Sequence, residues 1–154
     1  MANTYTQIYI HAVFAVKFRQ RVIPRDHETA IQKYMTGIVT NLGSKLIAIN
    51  NMPDHVHFLC GLKPDVCVSD LVGKVKTGSS GLINERRWVA GHFEWQLGFG
   101  AFSYSRKDIP TVARYIENQK EHHARKTFRE EYLELLREFG IDYDEKYALK
   151  GVIE

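Results

Sequence analysis

Cysteine is scarce in this chain of 154 residues, and long apolar runs are absent. The two cysteines, Cys60 and Cys67, have neither the CxxC spacing of a zinc knuckle nor the dense, even spacing of a secreted disulfide scaffold. Both are interpreted as buried or idle thiols. No apolar stretch approaches the roughly 18 residues of a membrane span, and the N-terminus lacks a signal-peptide layout. We therefore expect a cytoplasmic protein without a membrane partner.

An excess of either charge is also lacking, because 21 Lys and Arg stand against 18 Asp and Glu, a net charge of +3. Bulk charge therefore does not argue for a nucleic-acid partner, although the distribution of charge says more. The acidic residues concentrate after Glu117, which predicts an acidic tail and one basic face. The basic residues are Lys17, Arg19, Arg21 and Arg25, with Lys74 and Lys76 as a second group.

Apolar residues make up 44% and aromatic residues 12% of the chain, which is typical of one compact domain covering residues 1–154. Runs with strand-like composition alternate with runs of helical period, in the order βαββαβαα, without repeats or linkers. The predicted strands cover residues 5–18, 45–50, 55–62 and 93–105, and the predicted helices begin near Asp26, Ser69, Asp108 and Thr127.

This order, with one hairpin in the middle around Met52-Pro53-Asp54, predicts the α+β class. It fits a ferredoxin-like split βαβ arrangement, in which helices pack against an antiparallel sheet. The last two predicted helices form a C-terminal helical extension at about residues 108–140.

Two histidines stand on the second strand of the predicted hairpin, at His55 and His57. Side chains alternate faces along a strand, so both imidazoles project from one side, about 6–7 Å apart. Such a pair can bind one metal ion, yet the pattern alone is equally typical of two ordinary strand histidines. A further oxygen donor near a nucleophile is needed to favour phosphate chemistry.

Tyr115 and Gln119 fit that need, because residues four apart lie about 40° from each other around a helix and one turn apart. Their stripe lies away from the apolar stripe of the same predicted helix. Tyr115 is therefore not an obvious core aromatic, and the Gln119 amide can reach a metal beside its hydroxyl. The apolar stripe consists of Ile109, Val112, Ala113 and Ile116.

Together these residues resemble the single-tyrosine HUH transposases of the smallest bacterial insertion sequences, where HUH means His, a bulky hydrophobic residue and His. The resemblance covers nearly the whole chain. The matching segments are HAVFAVKFRQRVI at residues 11–23, NMPDHVHFLCGL at 51–62, LVGKVKTGSSGLIN at 71–84 and YIENQKEHHARKTFREEYLELLREFGIDYDEKY at 115–147.

The resemblance implies a metal-dependent transposase that cleaves and rejoins single-stranded DNA at hairpin-bearing ends. His55, His57 and Gln119 would bind Mg²⁺ or Mn²⁺, and Tyr115 would form a 5′-phosphotyrosine intermediate, so no nucleotide cofactor is needed. The resemblance also implies a homodimer in which the tyrosine helix of one subunit completes the histidine site of the other.

Further residues are assigned less specific roles. Asp54 either orients an imidazole or stabilises the hairpin turn, and His122 lies one turn beyond Gln119 as a candidate for proton transfer. DNA-backbone contacts are predicted for Arg19, Arg21, Lys74 and Lys76, which could equally be ordinary surface residues. The last predicted helix is expected to pack Leu133, Leu136 and Phe139 inward and to turn Glu130, Glu131, Glu134 and Glu138 to solvent.

Other families with an HxH pattern fit less well. Histidine-triad hydrolases need a third histidine where Leu59 stands, and rolling-circle initiators usually carry Lys where Asn118 stands. Two-histidine phosphoesterases need Ser or Thr two residues after each histidine, where His57 and Leu59 stand here, and conjugative relaxases place the tyrosine upstream. Two alternatives stay open: a relative that acts on repeated palindromes in its host genome, and a module that only binds hairpin nucleic acid.

Overall fold

A computed structural model describes residues 4–144 as a single four-stranded sheet with helices on both faces. The strands are β1 (Tyr9–Ala15), β2 (Lys45–Met52), β3 (His55–Gly61) and β4 (Gly100–Ser103). The helices are α1 (Glu28–Asn41), α2 (Val68–Arg86), α3 (Ile109–Glu117), α4 (Gln119–His122) and α5 (Phe128–Glu138). Short 3₁₀ turns cover Lys17–Arg19, Arg25–His27 and Arg106–Asp108.

The sheet has the order β2-β3-β1-β4, and every neighbouring pair is antiparallel. This topology, with α1 and α2 as the two crossover helices, confirms the predicted ferredoxin-like α+β fold. The central strands pair in a register that sets Val13 opposite His57 and Ala12 opposite Phe58. The two histidines of β3 therefore lie in the middle of the sheet.

The two faces of the sheet differ in what covers them. Helices α1 and α2 cover the first face, where Phe14, Val56 and Phe58 join a large apolar cluster. On the second face, Val13, Ala15 and Phe102 pack against α5, and Leu59 packs against α3. Side chains that alternate along β1 and β3 thus contribute to the apolar clusters on both faces of the sheet, and most residues of these two strands are buried on either face.

The elements differ from the predicted ones chiefly at their ends. The first strand begins at Tyr9 instead of Tyr5, and the predicted fourth strand is reduced to Gly100–Ser103, with one isolated bridge between Val16 and Trp95. Helix α2 runs without interruption through its glycines. A Cβ at Gly78 would come within 2.6 Å of the Ile38 side chain on α1, so the missing side chain lets the two helices lie close together. The glycine that weakens local helix propensity thus permits close packing between two helices.

Helices α3 and α5 begin at the residues that the sequence predicts. Pro110 lies in the first turn of α3, as predicted, and Thr127 caps α5 through a reciprocal hydrogen-bond pair with Glu130. The predicted helix through Tyr115 and Gln119 is interrupted, since α3 ends at Glu117 and α4 begins at Gln119. None of the helices within residues 4–144 is long and apolar enough to span a membrane.

Candidate metal and nucleophile site

The side chains of His55 and His57 point from β3 toward the second face of the sheet, where both are fully buried. The pleat of β3 brings them to one side, as predicted, and their ring centroids are 5.1 Å apart. Helices α3, α4 and α5 close over them. The site is therefore an enclosed space between the centre of the sheet and three C-terminal helices.

Glu131, on α5, lies at the centre of this space and is only 3% exposed. Its Oε1 atom accepts hydrogen bonds from His57 Nε2 at 2.9 Å and His123 Nε2 at 3.0 Å. The Nε2 atom of His55 is 3.4 Å from the same oxygen. One carboxylate oxygen thus faces three imidazoles, two from β3 and one from the loop before α5.

The second oxygen of Glu131 faces the other two predicted site residues. The Tyr115 hydroxyl donates a short hydrogen bond to Oε2, and the Gln119 side-chain amide donates to it at 2.9 Å. The Gln119 carbonyl oxygen in turn lies 3.2 Å from His55 Nε2. The predicted nucleophile, the predicted amide ligand and the histidine pair therefore meet in one cluster, despite the break between α3 and α4.

A second layer of partners fixes the orientation of the two strand histidines. His55 Nδ1 donates to the Asp54 carboxylate at 2.7 Å, so Asp54 orients an imidazole from within the hairpin turn. His57 Nδ1 shares a 2.8 Å hydrogen bond with His11 Nε2 from the neighbouring strand. Such partners leave each Nε2 atom directed at the centre of the site.

These hydrogen bonds define a consistent distribution of protons. With Nε2 of His57 donating to Glu131, its Nδ1 must accept from His11 Nε2, which leaves His11 Nδ1 as a buried acceptor without a partner. Both rings are then neutral. Burial, followed by the proximity of His57, lowers the pKa of His11. Burial also lowers the pKa of His57, with smaller contributions from His55 and His123, although Glu131 partly offsets the shift.

Charge is concentrated on the opposite side of the cluster. Burial alone would lower the pKa of His55, but its hydrogen bonds to Asp54 and Glu131 outweigh burial and raise it. Burial alone would likewise raise the pKa of Glu131, but His57, His123 and His55 together hold it well below its ordinary range. Burial and the Glu131 charge raise the pKa of the Tyr115 hydroxyl. In this arrangement the tyrosine stays protonated and the carboxylate stays ionised.

The donor set fits a divalent metal ion. His55, His57, His123 and Glu131 each offer one ligand atom, and these atoms lie within 4.8 Å of one another. Imidazole nitrogens with one carboxylate oxygen suit the borderline ions of the first transition row and also admit Mn²⁺. Gln119 adds a neutral oxygen at the edge of the set.

A cleft of about 450 Å³ opens beside the cluster and contains two of the predicted DNA-binding residues. Arg19 and Arg21 line it together with Arg125 and Lys126, and Asp54 and His123 form its inner wall. Four basic side chains thus surround an opening that leads toward the histidines. The positive backbone angles of Phe18 and Arg19, with φ of 59° and 50°, turn the chain at its edge.

The predicted pair Lys74 and Lys76 lies elsewhere, on α2. Lys74 is exposed. Lys76 is half-buried and donates to the backbone carbonyl oxygens of Gln96 and Gly98 at 2.7 and 2.8 Å. Lys76 therefore holds the loop before β4 in place, which the sequence did not indicate.

The prediction that Glu131 faces solvent is wrong, although Glu130, Glu134 and Glu138 are exposed as expected. Glu131 lies three residues after Phe128 and four before Leu135, and both of these are buried. An acidic residue inside an apolar helical stripe was the available signal. His123 and His11 were also missed. The predicted candidate His122 packs its ring 4.8 Å from that of Tyr115, whose hydroxyl bonds to Glu131 instead.

Comparison with known proteins identifies what this fold and site belong to. The sequence profile described as "Transposase IS200 like" matches residues 4–119. The ISDra2 transposase TnpA of Deinococcus radiodurans is 25% identical over 120 residues, covering 73% of this chain and 84% of that protein. A crystal structure of a transposase from Deinococcus radiodurans R1 superimposes with a TM-score of 0.61 at 25% identity, covering 77% of this chain and 95% of that one.

A second solved structure, of a REP-associated tyrosine transposase bound to a REP hairpin, has a TM-score of 0.58 at 16% identity. It covers 80% of this chain and 73% of its own, and it supports the fold alone. These matches define the class as DNA transposases. The chain belongs to the IS200-like transposase family, so DNA cleavage and transfer is its class of activity and the predicted resemblance is confirmed. Glu131 and His123 lie beyond the matched residues 4–119.

Proposed function

We propose that this protein is a metal-dependent endonuclease and strand transferase that cleaves and rejoins single-stranded DNA through Tyr115. The observation that carries the proposal is the shared carboxylate of Glu131, which contacts the Tyr115 hydroxyl with one oxygen and the histidine cluster with the other. A candidate nucleophile and a candidate metal site are thereby held in one enclosed space. Such proximity is what in-line attack on a phosphate requires.

The residues of this chain divide the work as follows. His55, His57 and Gln119 hold a divalent ion, Mg²⁺ or Mn²⁺, as the family resemblance implies. When bound, such an ion would draw charge from the scissile phosphate and offset the Glu131 charge, which together with burial raises the pKa of the Tyr115 hydroxyl. Asp54 and His11 keep the imidazoles oriented.

Tyr115 Oη attacks the phosphorus in line, so that a bond from Oη to phosphorus forms and the bond to the 3′ oxygen breaks. The tyrosine loses its proton and the departing 3′ oxygen gains one, which leaves a 5′-phosphotyrosine and a free 3′-hydroxyl. Attack by another 3′-hydroxyl on the phosphotyrosine reverses these changes and joins the new strands. The covalent link stores the energy of the broken bond, so no nucleotide cofactor is consumed.

The DNA partner we propose is a hairpin with an adjoining single strand. Arg19 and Arg21 line the basic cleft that leads to His123, and such a cleft can guide a phosphate backbone toward the site. The neighbour of like fold is bound to a REP hairpin, which supports this choice of partner. The homodimer with exchanged tyrosine helices stays a proposal, because here Tyr115 lies against the histidines of its own chain.

The test is formation of a covalent protein–DNA adduct. Protein is incubated with single-stranded hairpin DNA and Mn²⁺, and we expect a product that survives denaturing electrophoresis. Tyr115→Phe should form none, because the ring is kept and only the attacking oxygen is removed. Tyr104→Phe is the matched control, since Tyr104 lies near the site but does not contact Glu131.

Two results would contradict the proposal. Adduct formation by Tyr115→Phe would mean that another residue is the nucleophile. Absence of any adduct from wild-type protein that binds the hairpin would favour a module that only binds nucleic acid. His57→Ala separates the steps, because it should abolish cleavage while hairpin binding is largely kept.

A further inference from the structure

We propose that Glu131 is a two-sided ligand, which completes the metal site with one oxygen and holds the nucleophile with the other. His123 joins the same metal site as its third imidazole. The inference rests on the proposed metal-dependent function and extends it, because both residues lie outside the stretch that the family profile matches. It makes α5 and the loop before it part of the active site.

The distances around Glu131 Oε1 are those of neighbouring ligands on one ion. Two ligand atoms at about 2.1 Å from a metal, in adjacent positions, lie roughly 3.0–3.5 Å from each other. The three separations from Oε1 to the imidazole nitrogens are 2.9, 3.0 and 3.4 Å. All four ligand atoms lie within 4.8 Å of one another, so no change of fold is needed to bring them onto one ion.

The position of Glu131 on α5 is otherwise hard to explain. The carboxylate is 3% exposed and lies on the same side of the helix as Phe128, against the centre of the sheet. Burying an ionised group is costly unless partners compensate it fully. Here every strong partner belongs to the candidate site, which is the arrangement expected of a functional carboxylate.

The second oxygen ties metal binding to the position of the nucleophile. Oε2 accepts from the Tyr115 hydroxyl and from the Gln119 amide, while the Gln119 carbonyl oxygen faces His55 Nε2. A shift of Glu131 therefore moves the anchor of Tyr115 together with a metal ligand. We infer that α5 sets the distance between the ion and the attacking oxygen.

The first test measures Mn²⁺ affinity without DNA, by isothermal titration and by the electron paramagnetic resonance of free Mn²⁺. Glu131→Gln keeps the shape of the side chain, and we expect it to weaken Mn²⁺ binding by about tenfold or more. Glu134→Gln is the matched control on the same helix, because Glu134 is exposed and forms an ion pair with Lys126, away from the histidine cluster. It should bind Mn²⁺ like the wild type.

Thermal unfolding in the presence of chelator checks that each variant folds. If Glu131→Gln is unfolded, Glu131→Asp replaces it, since that variant keeps a carboxylate but withdraws it by one methylene, and the same loss of affinity is expected. Wild-type Mn²⁺ affinity in a folded Glu131 variant would overturn the inference. Equal loss in Glu134→Gln would also overturn it, because the effect would then be one of general charge.

The second test separates the two sides of Glu131. At saturating Mn²⁺, His123→Ala should recover most of its rate of adduct formation, because it lacks only a ligand. Glu131→Ala, which removes both side-chain oxygens, should remain slow, because Tyr115 has also lost its anchor. Full recovery of both variants would overturn the nucleophile-holding role.

The outcomes also distinguish this inference from the proposed function. A wild-type protein that forms a Mn²⁺-dependent adduct, together with Glu131 variants that bind Mn²⁺ normally, overturns only the inference. A wild-type protein that binds Mn²⁺ through Glu131 but forms no adduct overturns the proposed function and, with it, the nucleophile-holding role, while the role of Glu131 as a metal ligand stands.

Discussion

The two faces of strand β3 differ in what their buried residues contribute to the protein. Val56, Phe58 and Cys60 point into the apolar cluster under α1 and α2, whereas His55 and His57 point into a polar cluster under α3 to α5. All five side chains are buried. Buried residues on one face of this strand therefore form the apolar core, whereas buried residues on the other face form the candidate metal site.

The apolar face owes its stability to contacts that many residues could supply, so its members are replaceable in kind but not in volume. The polar face depends on particular atoms at particular distances, and it includes His11 Nδ1, which is buried without a hydrogen-bond partner. Functional clusters commonly contain groups that packing alone would exclude. Substitutions on the two faces should therefore separate stability from metal binding.

The largest expected effect is that of Phe58→Ala on the apolar face. It leaves a cavity among Phe14, Val56 and their neighbours, and should lower the free energy of unfolding by about 3–5 kcal/mol. Urea denaturation measures this loss. The folded fraction should bind Mn²⁺ with wild-type affinity, and a matching loss of affinity would break the separation between the faces.

A smaller effect, on Mn²⁺ affinity instead of stability, is expected from His11→Leu on the polar face of the sheet. Without His11 Nε2, the His57 ring loses the partner that orients it, and Mn²⁺ affinity should fall by about 10–100-fold. Isothermal titration measures the change. The free energy of unfolding should fall much less than in Phe58→Ala, and the exposed His92→Leu is the control that should leave affinity unchanged. A large loss of stability with normal affinity would instead assign His11 to the core.

The smallest effects are expected from the two lysines of α2. Lys76→Met breaks the bonds to Gln96 and Gly98 and should lower the free energy of unfolding by about 1 kcal/mol, with little change in hairpin affinity. Lys74→Met should leave the free energy of unfolding nearly unchanged and weaken hairpin binding at low salt. Denaturation and fluorescence anisotropy check the pair. A loss of DNA affinity in Lys76→Met at unchanged stability would restore its predicted contact with DNA.

Local patterns predicted much of this molecule. Strand alternation predicted that His55 and His57 project to one side, and the order of elements predicted the sheet topology that the structure confirms. Helix period predicted that Tyr115 and Gln119 lie near each other, and both contact Glu131 although the helix is interrupted between them. Those signals depend on residues a few positions apart. The roles of the four residues as ligands and nucleophile stay predictions until the adduct and metal assays are done.

What the sequence did not reveal depends on distant residues meeting in space. His57 and Glu131 are 74 positions apart, and His11 reaches His57 only through the pairing of β1 with β3. The run of four glutamates suggested a solvated side because charge is usually exposed. The break after α3 was hidden for a similar reason, since Asn50 on β2 donates hydrogen bonds to the backbone carbonyl oxygens of Ile116 and Glu117 where the helix ends.

Glu131 follows His57 by 74 positions, so it is synthesised well after the histidines that it contacts. At 5–20 residues per second, a ribosome needs about 4–15 s to pass from the histidines of β3 to Glu131. During that interval the imidazole pair stands without the carboxylate that will contact it. Neither a gathered ligand set nor an anchored Tyr115 exists until α5 has been made and has docked, so under the proposed function a growing chain cannot cut DNA before that point.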